Sequence, residues 1–69
     1  MKKCKAKLGD VVVVGGYIKN DTQEFVIKQV IVDQATLYDE GWKYRATEQL
    51  PMRCNTYFFE DKHIKKNLS

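Results

Sequence analysis

A chain of 69 residues, 43% hydrophobic and 30% charged, is enough for one folded domain with a small core and has no interior to divide between two, so residues 1–69 are read as a single domain. The longest apolar run, Val11 to Val14, has four residues against the roughly 20 that a membrane-spanning helix needs. Lys7, Gly9 and Asp10 stand where a secretion signal would need its apolar stretch, so a cytoplasmic protein without a membrane partner is expected.

The first strand is expected from Lys7-Leu8-Gly9-Asp10-Val11-Val12-Val13-Val14, a turn signal running into four β-branched residues. Consecutive valines imply apolar contact on both faces, or a strand crossing from one surface of a curved sheet to the other. Gly15-Gly16 ends or bends this strand, Tyr17-Ile18 resumes it, and Lys19-Asn20-Asp21-Thr22 is the clearest turn. From Gln23 to Asp33 the chain is again β-branched and aromatic, with its apolar phase changing near Lys28-Gln29. A helix would gather Phe25, Val26, Gln29, Val30 and Asp33 on one face, but β-branched residues disfavour it. One long strand with a bulge or bend at the phase change is the preferred reading.

Thr36 to Gly41 reads as a loop, after which Trp42, Tyr44 and Ala46 alternate with Lys43, Arg45 and Thr47, the pattern of a half-buried antiparallel strand. Glu48 to Pro51 is expected to break it. In Met52 to Phe59 one parity holds Cys54, Thr56 and Phe58 and the other Arg53, Asn55, Tyr57 and Phe59. Acidic Glu60-Asp61 followed by Lys62, His63, Lys65 and Lys66 suits a short helical turn. Ile64, and with it Leu68, is expected to plug one end of the structure. The residues expected in the core are Val11, Val13, Ile27, Val30, Trp42, Tyr44 and Phe58.

Little in the chain suggests chemistry. Cys4 and Cys54 lie fifty positions apart and form no close pair, which reads as two reduced thiols; a disulfide between them is the lesser alternative. A zinc site needs about four ligands, and Cys4, Cys54 and His63 are the only Cys and His residues present. His63 sits among lysines, Asp39-Glu40 and Glu60-Asp61 are adjacent carboxylates whose side chains diverge, and Gly15-Gly16 lacks the rest of a phosphate loop. No catalytic residue, metal, cofactor or small-molecule substrate is therefore expected.

The Leu8-Gly9-Asp10-Val11-Val12-Val13 opening, the central Trp42-Lys43-Tyr44 and the closing Phe59-Glu60 with Ile64 resemble the SH3-like small barrels of short bacterial and bacteriophage proteins. The resemblance covers residues 7 to 65. It implies a mainly β protein: a partly open barrel of about five strands, one of them long and bent, with a short C-terminal helical turn. It also implies an accessory factor, although such a fold does not by itself fix an activity. Peptide-binding SH3 domains carry an Ala-Leu-Tyr-Asp-Tyr stretch in the first loop, where this chain has Tyr17 nearly alone, and its Pro51 lies in another connection.

Two kinds of partner follow from the residues. Three Phe, four Tyr and one Trp exceed what so small a core needs, and exposed tyrosines beside arginine anchor protein interfaces. Tyr17, Tyr38, Tyr57 and Arg45 are the candidates for contact with another protein or a second copy of the chain, with Trp42, Phe25 and Phe58 left to the core. The alternative partner is nucleic acid. The net charge of +3 is unevenly placed, residues 8–59 holding five cations against seven acids. The basic character belongs to an N-terminal arm, residues 1–6, and to the other chain end. Lys2, Lys3, Lys5, Lys7, Lys62, Lys65 and Lys66 are the phosphate-contact candidates.

Overall fold

In the computed structural model, which describes residues 4–69, a tight turn introduces the first strand. Gly9 has a φ of 87°, a region glycine enters without a Cβ clash. Asp10 can therefore fold back, its carboxylate accepting the Lys7 N–H at 3.0 Å. Seven strands follow: β1 (Val11–Gly15), β2 (Ile18–Lys19), β3 (Thr22–Gln23), β4 (Ile27–Tyr38), β5 (Gly41–Leu50), β6 (Arg53–Glu60) and β7 (Ile64–Asn67). They form one open antiparallel sheet in the order β3-β2-β6-β5-β4-β1-β7. A 3₁₀ turn, Asp61–His63, separates β6 from β7. No helix among the described residues is long and apolar enough to cross a membrane.

Local chemistry explains the joints. Asn20 and Asp21 both have positive φ, 48° and 67°, between the paired Lys19 and Thr22. This is the two-residue hairpin turn whose twist matches the strands. Asp39-Glu40 also makes a two-residue connection, between the paired Tyr38 and Gly41, but here the positive φ, 132°, falls on Gly41, and β4 continues through the segment expected to be a loop. β5 likewise runs on to Leu50, and the break falls at Pro51-Met52, where proline supplies no N–H to a ladder.

The long bent strand exists, but it is displaced along the sequence. It starts at Ile27 rather than Gln23, and its irregularity falls between Val32 and Gln34 rather than at Lys28-Gln29. Residues 27–31 pair with β1, and from Val32 onward β4 pairs with β5. Lys28 on the β1 side reaches Glu48 on β5 at 3.2 Å across this fork. The helical alternative for this segment is not adopted.

Seven strands replace the expected five. β2 and β3 have two residues each, and β7 lies in the lysine-rich tail, where Val12 pairs with Asn67 and Val14 with Ile64. Leu68 donates to the Val11 carbonyl and Val11 to the Ser69 hydroxyl, extending that pairing. Residues 4–6 of the expected N-terminal arm belong to the folded body: Ala6 is buried and Cys4 packs against the core.

The core consists of Ala6, Val12, Val14, Tyr17, Val30, Val32, Tyr44, Ala46, Tyr57 and Phe59. Val30 and Tyr44 are buried as expected, and Trp42 is half-buried against them. The other expectations reverse: Val11 and Val13 are half-buried while Val12 and Val14 are fully enclosed, and Ile27 and Phe58 are exposed while Phe59 is enclosed. Phe25, assigned to the core from sequence, is 79% exposed. Tyrosines take the vacated volume because their hydroxyls find partners. Tyr44 accepts the Lys5 N–H and donates to Asp61, and Tyr57 donates to Glu48 at 3.0 Å. Tyr17 and Tyr57 meet edge to face at 5.3 Å, and Tyr44 stacks on Phe59 at 5.5 Å.

Candidate functional site

The parity of β5 sends Tyr44 and Ala46 inward and Lys43 and Arg45 outward. Register then decides what joins them. Arg45 pairs with Phe58 of β6 on one side and Gln34 of β4 on the other, and Phe58 pairs in turn with Ile18 of β2. One residue pair along, Lys43 lies between Thr36 and Glu60. The outer face thus carries an apolar cluster of Ile18, Phe58 and Tyr38, which are 42%, 44% and 50% exposed, beside two cations. Lys43 lies over the Tyr38 ring, 5.1 Å from its centroid, and Arg45 Nε holds Asp33 at 2.9 Å.

Two adjoining depressions shape this face. One, about 80 Å³, lies among Gln34, Thr36, Arg45 and Phe58. The other, about 230 Å³, reaches from Ile18 to Glu60 and His63. Tyr38, Lys43 and Phe58 border both. This is a shallow surface with aromatic walls and an exposed cation, suited to apolar side chains with a carboxylate beside them.

The four protein-contact candidates therefore separate. Tyr38 and Arg45 stand together on the outer face. Tyr17 and Tyr57 are each 2% exposed and are core residues, so their place in a surface site is corrected. Sequence reasoning missed Ile18 and Phe58. Strand alternation in β6 was ambiguous, since both parities carry an aromatic, and Ile18 lies in a two-residue strand too short to show a period.

The lysine candidates gather elsewhere. Lys62 and Lys65 line a second groove with Gly15, Gly16 and His63. Lys66 pairs with Val13 on β7. The Asn67 side chain donates to the Lys5 carbonyl at 2.8 Å, joining the chain's first described residues to its last strand, and Lys7 follows in the adjacent turn. Lys2 and Lys3 lie outside the described residues. His63 borders both grooves. Its Nδ1 accepts the Glu60 N–H at 2.9 Å, and burial, with the Lys62 charge nearby, holds its pKa below the ordinary value of 6.5.

Glu48 has several partners. It accepts from Asn55 at 3.2 Å and from the Tyr57 hydroxyl, besides pairing with Lys28. Those hydrogen bonds, from Asn55 first, keep its pKa below the usual carboxylate value. Asn55 is 3% exposed and accepts from Asn20, whose own side chain and backbone hold Thr56. This network pins the β2–β3 hairpin to β6 and is structural. The two cysteines are unpaired: Cys4 is half-buried and Cys54 exposed. Among the described residues no three His, Cys, Asp or Glu side chains converge as metal ligands. No family model matches the chain, and no curated protein or solved structure matches it either.

Proposed function

We propose that this chain is a non-catalytic binding module of the SH3-like small-barrel type, an accessory factor that acts by holding another protein on the outer face of β2, β6, β5 and the end of β4. The barrel reading draws support from one long strand shared by both halves of the sheet, a 3₁₀ turn before the last strand, and the return of that strand to β1. The functional reading rests on one observation: Ile18, Phe58 and Tyr38 form an exposed apolar cluster across neighbouring strands, flanked by Lys43 and Arg45. Clustered aromatic and aliphatic surface beside cations is the composition from which protein interfaces are built.

The partner suited to it presents an aliphatic or aromatic anchor next to a carboxylate. A second copy is the weaker occupant. Two such faces meeting about a two-fold axis would bring Lys43 and Arg45 against their own images, on a chain already at +3. Displayed peptides selected against the intact protein provide the probe. The selected sequences should be acidic and apolar, and should shift the amide resonances of Ile18, Tyr38 and Phe58. Tyr38→Ala and Phe58→Ala should each weaken them about tenfold. Shifts mapping to another face, unchanged affinity in both variants, or a sedimentation dimer that Phe58→Ala dissolves would overturn this assignment.

A further inference from the structure

The open sheet leaves a seam. Its edge strands, β3 and β7, both border a groove of about 490 Å³ whose wall includes the end of β1 at Gly15 and Gly16. A Cβ on Gly15 would lie 3.3 Å from Cε of Lys65, and one on Gly16, where φ is 75°, 3.6 Å from Cδ2 of His63. Gly15 thus lets the Lys65 stem lie close to the backbone, while at Gly16 it is the positive φ, not space beside His63, that favours glycine. No carboxylate lines the groove, and neither Lys62 nor Lys65 belongs to an ion pair among the described residues. Phe25, 79% exposed, borders the same groove.

We propose that this seam binds single-stranded nucleic acid, with phosphates on Lys62 and Lys65 and a base stacked on Phe25. Unpaired cations beside an unpartnered aromatic ring are what a strand of nucleotides uses, because each unit offers one charge and one flat face. The length of the cationic track decides between nucleic acid and an acidic peptide. Beyond Lys62 and Lys65, further lysines lie at the same border of the sheet: Lys66 on β7, and Lys5 and Lys7, whose backbone the Asn67–Lys5 hydrogen bond brings alongside that strand. Asp10 stays charged at that end, hydrogen-bonded by Asn67 and the Lys7 N–H, and offsets part of the Lys7 charge. A ligand charged at every unit can use the whole track. Lysines on the β7 edge also discourage strand addition by a peptide. This site shares only His63 with the depressions of the outer face and does not depend on the reading of that face.

Fluorescence anisotropy of labelled oligothymidylate, about 15 nucleotides long so that it spans one small-barrel site, tests the proposal on the intact protein. Log affinity should fall with log salt at a slope of about 1.4 or more, at ~0.7 per phosphate contact. Lys62→Gln combined with Lys65→Gln should lower the slope by that amount. Phe25→Ala should weaken binding about tenfold and leave the slope unchanged, a division that loss of charge alone could not produce. Phe58→Ala should bind as the parent does. All these side chains are exposed, and an unaltered thermal transition verifies that each variant is folded. Absence of binding at ~50 mM salt, indifference to Phe25→Ala, or equal affinity for polyglutamate of matched charge would overturn it, the last by assigning the groove to an acidic protein.

Discussion

Two adjacent phenylalanines provide the sharpest test of the packing. Phe59 is 2% exposed and stacks on Tyr44, while Phe58 is 44% exposed on the opposite face. Truncating Phe59 to Ala removes a fully enclosed ring and leaves a cavity, at a cost of about 3–5 kcal/mol. Truncating Phe58 to Ala removes a ring whose burial is only partial. Scaling the ~1.5–3 kcal/mol of a fully buried side chain by its enclosed fraction gives about 1–1.5 kcal/mol. A domain of this size has a total stability of roughly 3–10 kcal/mol, so Phe59→Ala should lose from about a third to all of it, while Phe58→Ala stays folded. Phe59→Leu keeps part of the contact and brings the comparison into measurable range. Urea titrations followed by circular dichroism and by Trp42 fluorescence supply both free energies. A Phe58→Ala penalty equal to or above that of Phe59→Leu would refute the strand parity, and with it the placement of the candidate interaction face.

Acid should weaken the fold in a defined window. The folded state keeps His63 unprotonated below its ordinary value of 6.5, so this contribution is complete above about pH 6.5 and is lost as pH falls through the lowered folded value. Urea midpoints measured across that range should decline, and His63→Gln should flatten the decline. Asn55→Ala should cost about 1–3 kcal/mol by stranding the partners of a buried amide, with hydrogen exchange rising first in the β2–β3 hairpin. Asp21→Gly should raise the melting temperature by a few degrees, since glycine occupies the 67° φ without strain. A thiol reagent should modify Cys54 at once and Cys4 slowly, with mass spectrometry separating the two.

The strands that announced themselves in the sequence were those whose two faces differ chemically. In β5, Trp42, Tyr44 and Ala46 against Lys43, Arg45 and Thr47 gave the correct inward face because a cation on alternate residues admits one orientation. Val11 to Val14 contains no such contrast, and its phase is set by β4 and β7 on either side, which no local pattern records. β6 misled for a different reason: the enclosed parity includes Asn55, a polar residue made tolerable by Asn20 and Glu48. Tyr57 looks like a surface residue until the partner of its hydroxyl on the neighbouring strand, Glu48, is known, and Tyr17 until its ring contact with Tyr57 is. Of the candidate sites, Tyr38 and Arg45 were legible individually, while their meeting with Phe58 and Ile18 depends on a register built from turns at Asn20-Asp21 and Asp39-Glu40.

The pairing of β7 with β1 bears on how the chain folds. β4, β5 and β6 are joined by two-residue turns and make a local meander, so their contacts close small loops and should form early. β7 must find a partner more than fifty residues back in the sequence, and the entropy of that closure makes it a late step with little representation in the transition state. Mutations in β4–β6 should slow folding, whereas those in β7 should mainly hasten unfolding. The lysine-bearing border of the seam is then the last part of the protein to assemble and the first to open.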